Sequence, residues 1–203
     1  MLDWGDHLQR RFAILGHRAP STGTLNLNDI PGSGGRADVL ARAVNSSLFV
    51  SHGIRRDSHV TLHLMGGPGP HRRVWFEGST LRGVRPDERS IAGHIRAVMK
   101  TPVPPIGRFV EVSDGIFQSG GGIGQTIAEW KKDGLECFVL DAKGLVEYSI
   151  PEGKSVGFVL SDDSAFTEED LVELEGLNRI SLGDVWLQGH ACIAILHHFL
   201  DQG

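Results

Sequence analysis

The feature that most constrains the fold is a regular alternation of strand-like and helix-like segments along the chain. Three of the later strand-like segments, residues 135–140, 156–160 and 178–182, are apolar on both faces. Strands of this kind are covered on both sides, as in parallel sheets whose crossover connections are helices. The sequence therefore predicts an α/β fold with a mostly parallel sheet and helices on both faces.

The remaining elements follow from apolar spacing and from turn residues. Further strands are predicted at 12–15, 59–65 and 74–77, with a hairpin at 109–112 and 116–117, and helices at 38–51, 86–100, 123–132, 167–175 and 185–200. Gly16 should end the first strand and open a loop to residue 35 that is rich in Gly, Pro, Asn, Ser and Thr. A loop of this length in a compact domain is usually functional. Residues 1–10 are predicted to be an extension, and residues 11–203 a single domain.

The predicted terminal helix, 185–200, is apolar around nearly its whole circumference. A helix of this type has no face for solvent. It is expected either to run through the core or to pack on the sheet with one side and on a second subunit with the other.

Charge is divided unevenly along the chain. Residues 1–110 contain 15 Lys and Arg against 8 Asp and Glu, whereas residues 111–203 contain 5 against 17. Fourteen of the fifteen basic residues in the first part are arginines, whose planar guanidinium suits phosphate and base-edge contacts. The alternative interpretation is an ordinary solvated surface. The asymmetry favours a polyanionic partner bound by the N-terminal half.

Several other classes of protein are disfavoured. The longest apolar run near the C-terminus, 191–196, is too short to span a bilayer, and the N-terminus lacks a signal-peptide pattern. We therefore expect no membrane association. Cys137 and Cys192 have no zinc-site spacing, so we expect no metal and a reducing cytoplasm. His197 and His198 are adjacent on a helix and cannot share one ion. The glycine-rich run 120–124 lacks the context of a nucleotide fingerprint.

Two groups of segments remain as candidates for chemistry. The loop 28–38 ends at a helix that begins with Arg36 and Asp38, and residues 51–57 lie at the other end of that helix. A purely structural role is possible, with Asp38 as an early-turn acid and Arg36 as its partner. The second group comprises the ends of the buried strands near residues 140, 158–163 and 180–192. Open α/β sheets bind ligands at such ends.

Long parts of the sequence resemble the archaeal tRNA pseudouridine N1-methyltransferases, members of the SPOUT (α/β-knot) superfamily. The resemblance covers residues 11–201 and is carried by the runs RRFAILGHRAP, LNLNDIPGSGGRADVLARAVNSSLFVSHGIRRD, PDERSIAGHIRAVM and ISLG…CIAILHHFLD. It implies a C-terminal trefoil knot over about 135–203, S-adenosylmethionine (SAM) as cofactor, and a homodimer formed through the knot and the C-terminal helix. The implied substrate is the T-loop of tRNA, methylated on N1 of pseudouridine 54.

The resemblance also assigns residues. The cofactor-binding positions it implies lie in the knot loops: Leu140, Leu160, Ser161, Asp162, Leu182, Gly183, Asp184, Val185, Trp186, Leu187 and Cys192. In many relatives the sequence of one knot turn is Gly-Asp-His followed by Gly. This chain departs from that pattern, because its turn begins with Ser161. A serine in place of a glycine predicts a narrower approach for the ligand.

Chemistry then suggests roles in the N-terminal half. A methyl transfer to N1 of pseudouridine needs alignment, removal of the N1 proton and stabilisation of the developing charge. Asp38 and Arg36 are the first candidates, with Asp29 behind them, whereas Arg18, Arg55 and Arg56 are assigned to RNA binding. The alternatives are a SPOUT methyltransferase acting on another RNA, such as ribosomal RNA, and a non-catalytic module that binds RNA or SAM.

Overall fold

A computed structural model describes residues 8–146 and 149–202. Its main sheet has eight strands: β1 (Arg10–Pro20), β4 (Ser58–Gly66), β5 (Arg72–Glu77), β6 (Val110–Ser113), β7 (Ile116–Gly120), β8 (Glu136–Leu145), β9 (Val156–Ser161) and β10 (Asn178–Ile180). Two short strands, β2 (Phe49–Val50) and β3 (Gly53–Ile54), form a separate hairpin. The strand order is β10-β8-β9-β1-β4-β5-β7-β6. In this order, the five strands from β10 to β4 are parallel to one another, and the pairs that join β4, β5, β7 and β6 are antiparallel.

Helices cover both faces of this sheet, which confirms the predicted α/β class. They are α1 (Ile30–Ser33), α2 (Ala37–Leu48), α3 (Glu88–Met99), α4 (Ile123–Lys132), α5 (Glu168–Glu173) and α6 (Gly189–Leu200). The side chains of β1 alternate between two cores. Phe12 and Ile14 pack with α2, α3 and α6, whereas Ala13 and Leu15 pack with α4 and the end of α5. A central strand buried on both faces explains the apolar runs in the sequence.

The prediction that Gly16 ends the first strand is wrong, since β1 continues to Pro20. A Cβ atom at position 16 would lie 2.9 Å from the Leu40 side chain and 3.0 Å from the His63 carbonyl oxygen. Glycine is required there by close packing rather than by a turn. Beyond Gly16 the register with β4 shifts, and the strand reaches Pro20 after this irregularity. The predicted loop 16–35 is therefore shorter, and it contains α1.

The prediction for the terminal helix is wrong at its start. Residues 185–188 are not helical, and α6 begins at Gly189. Gln188 is extended (φ −68°, ψ 145°), and Val185 and Trp186 are 73% and 78% exposed. One face of α6 packs against the α2 side of the sheet, whereas Phe199 is half exposed. The helix therefore has one buried face and one open face, instead of an apolar circumference that is covered everywhere.

Two arginines in the antiparallel part of the sheet do not contribute to the basic surface predicted for the N-terminal half. Arg72 and Arg73 in β5 are fully buried. Arg73 pairs with Glu129 at 2.6 Å and lies over the ring of Phe109, and Arg72 donates to the Thr101 carbonyl oxygen at 2.7 Å. These two guanidinium groups stabilise the sheet and are not part of a basic surface. The predicted extension also needs correction at one residue, because Arg10 belongs to β1, while residues 1–7 lie outside the described range.

Within residues 8–146 and 149–202, no helix combines the length and the apolar character that crossing a bilayer requires. The same residues contain no group of three His, Cys, Asp or Glu side chains arranged to hold a metal ion.

Candidate functional site

Three segments meet at the carboxyl end of the parallel strands and enclose a cavity of about 350 Å³. They are the end of β8, the turn that follows β9, and the chain from β10 to the first turns of α6. Ten of the eleven residues predicted to bind the cofactor line this cavity: Leu140, Leu160, Ser161, Asp162, Leu182, Gly183, Val185, Trp186, Leu187 and Cys192. Asp184 lies in the same segment but does not line the cavity. Residues far apart in the sequence are thus brought to the edge where open α/β sheets bind ligands.

The cavity combines apolar walls with a few polar groups. The Oγ atom of Ser161 is buried, and no described residue hydrogen-bonds to it. A buried hydroxyl without a partner is unusual in a folded protein and is commonly satisfied by a ligand or a water molecule. Gly183 has φ 114°, and a Cβ atom at this position would meet no neighbouring atom within 4 Å. Apolar walls, a free hydroxyl and accessible backbone fit an adenosine-containing ligand such as SAM.

The turn after β9 is held in place by His17, which follows the buried part of β1. The Nδ1 atom of His17 lies 3.2 Å from Asp162 Oδ1, and the Nε2 atom lies 2.7 Å from Asp170 Oδ2 in α5. The backbone N–H of His17 also donates to Asp162 at 2.9 Å. The hydrogen bond to Asp162, opposed by burial and helped by Asp170, raises the pKa of His17 to about 9. The imidazole is therefore protonated at neutral pH and donates from both nitrogens.

The next residue of the turn, Asp163, faces the other side of β1. It accepts hydrogen bonds from Arg18 and from Arg36, the latter at 2.6 Å. Arg36 also donates to Asp38, with Nε 3.0 Å from Oδ1, and Arg42 binds the other oxygen of Asp38. The structure thus brings the predicted catalytic pair and Arg18 to the turn that lines the cavity.

The backbone at Arg36 is unusual. It is the sole non-glycine residue with positive φ among the described residues (φ 66°, ψ 34°), and it lies at the N-cap of α2. A residue with a Cβ atom adopts this left-handed conformation at a cost in free energy unless its surroundings enforce it. Such residues cluster at functional sites. Here two carboxylates, Asp38 and Asp163, hold the guanidinium.

Asp38 is almost fully buried at the start of α2. Burial alone would raise its pKa, but the hydrogen bond from Arg36 and the charges of Arg36 and Arg42 outweigh that effect, and the pKa is lowered. A carboxylate with a lowered pKa is a weak proton acceptor near neutral pH. Asp29, the third candidate, is exposed just before α1 and accepts a hydrogen bond from the Gly32 N–H at 3.1 Å.

Arg55 and Arg56 lie elsewhere. Both precede β4, at the amino end of the parallel strands, which is the end opposite the cavity. Arg55 donates both terminal nitrogens to Asp201 at 2.9 and 2.7 Å, and Arg56 donates to the carbonyl oxygens of residues 78, 79 and 81. The structure does not bring them to the candidate site, and their role in RNA binding stays a prediction.

His17, Asp170 and Arg42 were not candidates on sequence grounds, and Asp163 was a candidate only within the range 158–163. One signal was available, because His17–Arg18 come after the predicted strand 12–15 and Asp162–Asp163 come after the predicted strand 156–160. Adjacent parallel strands place such residues side by side. Leu15 is opposite Ser161 in the β1–β9 register, and the two pairs therefore meet. That pairing could be read only after the neighbours of β1 were known.

Residues 9–203 match the model of a protein family described as "Putative SAM-dependent RNA methyltransferase". The chain belongs to this family.

Curated relatives are similar to the chain over nearly its whole length. A tRNA (pseudouridine(54)-N(1))-methyltransferase of Methanococcoides burtonii is 37% identical, with 95% of this chain and 96% of the relative covered. Proteins with the same name from Methanosarcina mazei and Methanococcus maripaludis are each 36% identical, over 95% of this chain and 91% and 98% of their own lengths. The similarity to each of these three relatives thus extends over 95% of this chain.

A solved structure supports the fold independently. Archaeoglobus fulgidus Nep1, in its crystal structure bound to S-adenosylhomocysteine, superposes with a TM-score of 0.65 at 13% identity, covering 96% of this chain and 98% of the Nep1 chain. At this identity the similarity concerns the fold.

Proposed function

We propose that the protein is a SAM-dependent methyltransferase that acts on N1 of pseudouridine 54 in the tRNA T-loop. The relatives at 36–37% identity suggest the substrate. The observation that carries the proposal is the turn at Asp162–Asp163. One side of this turn belongs to the cavity, and the other side holds Arg36 beside Asp38. A cofactor site and a charged cluster suited to the substrate base are thus adjacent, as methyl transfer requires. Because tRNA is the substrate, we assign the protein to the cytoplasm.

The residues lining the cavity would hold the cofactor. Leu140, Leu160 and Leu182 provide apolar walls for the adenine, while the Ser161 hydroxyl and the backbone near Gly183 provide polar contacts. When bound, SAM supplies a methyl group on a positively charged sulfur. The protein needs no metal for this chemistry, since its tasks are orientation, exclusion of water and control of one proton.

Arg36 is assigned the role of stabilising the negative charge that develops on the base. Loss of the N1 proton leaves negative charge shared with the neighbouring carbonyl oxygens, and a positioned guanidinium stabilises such charge. Asp38, held between two arginines, orients Arg36. Both oxygens of Asp38 are engaged by arginines, so Asp29, which is exposed, is the better candidate to accept the N1 proton. The base must leave the folded T-loop to reach the site, which costs a few kcal/mol of unstacking.

The path of the chain supports the proposed knot over about 135–203. β10 lies at one edge of the sheet, outside β8, whereas α6 packs against α2 near the middle of the sheet. The connection, residues 181–188, must therefore pass back across the carboxyl ends of β8 and β9. Both neighbouring turns line the same cavity as this connection. Threading of this kind is rare in proteins and is expected for a SPOUT knot.

We also propose a homodimer formed through the knot and the C-terminal helix. Val185, Trp186 and Phe199 expose large apolar side chains in this region, whereas soluble monomers seldom expose a large contiguous apolar patch. Analytical ultracentrifugation at micromolar concentration should give twice the chain mass of 22.0 kDa. A Phe199→Glu variant should shift the distribution toward monomer, and a wild-type monomer at this concentration would contradict the proposal.

The function is tested with defined tRNA transcripts. The wild-type protein and radiolabelled SAM are incubated with transcripts that carry pseudouridine or uridine at position 54, and nucleosides are then analysed by mass spectrometry. We expect N1-methylpseudouridine from the first transcript alone. Methylation of a ribosomal RNA fragment in its place would reassign the substrate. Binding of SAM without transfer to any RNA would indicate a non-catalytic module.

A further inference from the structure

We propose that His17 is a positioning residue of the cofactor site, whose positive charge holds the Asp162 turn against α5 and so keeps one wall of the cavity in place. The inference rests on the proposed function, because it assumes that the cavity binds SAM. His17 itself does not line the cavity. It acts through Asp162, which does.

The geometry is that of one cation between two buried anions. The side chains of Asp162 and Asp170 are only 1% and 3% exposed, and the imidazole lies between them at 3.2 and 2.7 Å. Two buried carboxylates that face each other repel unless a cation separates them. Removing the imidazole would therefore leave two charges without compensation and force the two segments apart.

Each carboxylate fixes a different part of the cavity wall. Asp162 accepts from the Ser164 N–H at 2.8 Å, which shapes the turn beside Ser161. Asp170 accepts from the N–H and the hydroxyl of Thr167 at 2.7 and 2.8 Å and closes the N-terminal turn of α5. Phe166 and Leu171, on either side of this cap, also line the cavity. The charge on His17 is thus linked to both sides of one wall.

Among the described residues, His63 also interacts electrostatically with Asp170. The neighbouring titratable group on β4 is His63, whose ring contacts Thr126 of α4, and burial lowers the pKa of His63 to about 3. His63 is therefore neutral at physiological pH. Arg18 and Asp163 follow in the chain and form their own pair on the other side of β1. The protonation of His17 is governed by Asp162 and Asp170, and it should be lost near pH 9.

The test measures binding of S-adenosylhomocysteine by calorimetry to the wild type, His17→Gln and the double variant His17→Gln/Asp170→Asn. Glutamine cannot supply the positive charge, so we expect affinity to fall about ten- to a hundredfold. The double variant restores the charge balance of the buried group and should recover most of the loss. His71→Gln replaces an exposed histidine and serves as the matched control with unchanged affinity.

Steady-state kinetics separates positioning from a general loss of structure. In His17→Gln the KM for SAM should rise while kcat at saturating SAM and the KM for tRNA change little. A uniform fall in kcat, or no gain in the double variant, would indicate a merely structural role and overturn the inference. If the wild type bound no S-adenosylhomocysteine, the proposed cofactor site would fail as well. Binding by the wild type together with equal binding by His17→Gln would overturn the inference about His17 alone.

A pH series on the wild type keeps the inference testable if the variants fold poorly. The probe is 5′-methylthioadenosine, which lacks the amino and carboxyl groups that would titrate in SAM. Its affinity should be constant from pH 6 to 8 and fall through the pKa of His17, measured independently by NMR of the imidazole. Affinity that stays constant to pH 10, while the imidazole is seen to lose its proton, would refute the proposal.

Discussion

The two ends of β1 carry the same ion-pair arrangement with different surroundings. At the carboxyl end, Arg18 and Arg36 share Asp163. At the amino end, Arg10 and Arg55 share Asp201, which follows α6. The two clusters are about 25 Å apart, since eight residues of strand separate Arg10 from Arg18. Residue type and local geometry do not distinguish a functional cluster from a structural one.

The neighbours of each cluster make the difference. Asp163 belongs to the turn that borders the cavity, and Arg36 extends the first cluster to a buried carboxylate in a strained backbone. Asp201 is the C-cap residue of the terminal helix and ties it to β1 through Arg10, which lines a separate cavity at the amino end of the strands. We therefore expect the first cluster to govern activity and the second to govern stability.

The sharpest separation should come from one arginine of each cluster. Arg36→Ala should lower the single-turnover rate of methyl transfer about 10²–10³-fold, the usual cost of removing a donor to a developing charge. Arg10→Ala should lower the melting temperature and leave the rate at the wild-type value. Rapid-quench measurements on pseudouridine-containing tRNA, with saturating SAM, provide the comparison. Equal effects of the two substitutions on the rate would erase the distinction between the ends of β1.

The carboxyl end should also respond to alkaline pH through His17, whereas carboxylates with lowered pKa values make both ends respond to acid. The pKa of His17, raised from 6.5 to about 9, means that its stabilising contribution is complete below pH 6.5 and is lost as the pH rises to 9. This amounts to roughly 3 kcal/mol of unfolding free energy. The pKa of Asp201, lowered to about 2 by Arg55 and Arg10, gives a contribution that is lost only in strong acid. Urea unfolding from pH 6 to 9.5 should show the alkaline decline in the wild type and not in His17→Gln.

Asp38→Asn tests whether the buried carboxylate of the carboxyl-end cluster contributes to the rate. The variant should slow methyl transfer about tenfold to a hundredfold while leaving the affinities for SAM and tRNA nearly unchanged, because asparagine cannot hold two guanidinium groups. With Asp38 as an orienting group, the rate should show no ionisation of Asp38 above its lowered pKa. Single-turnover kinetics between pH 5 and 8 checks this. A variant with a lower melting temperature and a normal rate would leave Asp38 with a structural role alone.

The smallest effect is expected for the predicted phosphate contacts at the amino end. The double variant Arg55→Ala/Arg56→Ala should weaken tRNA binding slightly and reduce the slope of log affinity against log salt by less than about 1, against about 1.8 for two freely available cations. Both guanidinium groups already have partners within the protein. Filter binding at several salt concentrations measures the slope. An unchanged slope would remove both residues from the RNA face.

The sequence was informative where structure is local or where a strand is uniformly buried. The bounds of α4 agree with the prediction, as does the start of β9, and ten of the eleven residues assigned to the cofactor meet at one cavity. Prediction failed where a residue serves a distant neighbour. The local sequence predicts a turn at Gly16, whose close contacts with Leu40 and His63 are tertiary. It also places Arg72 and Arg73 with the other arginines of a basic surface, although their partners lie 26 or more residues away.

The partners of His17 were hidden for the same reason, since Asp162 is 145 residues away and Asp170 is 153 residues away. The pairing depends on β9 being adjacent to β1, and nothing in the local sequence specifies that order. The division of the site into a cofactor part and a charged part could be predicted, but the residues that join them could not.

The alternation of β1 at its carboxyl end has a consequence for how the chain can vary in length. Consecutive residues of a strand face opposite sides, so His17 reaches Asp162 and Asp170 on one side while Arg18 reaches Asp163 on the other. Deleting a single residue between Leu15 and His17 would exchange the two sides. Arginine would then enter the buried position, and histidine would point toward α2. Loops elsewhere can gain or lose residues, whereas the spacing of residues 15–18 is fixed by the partners on the two sides of the strand.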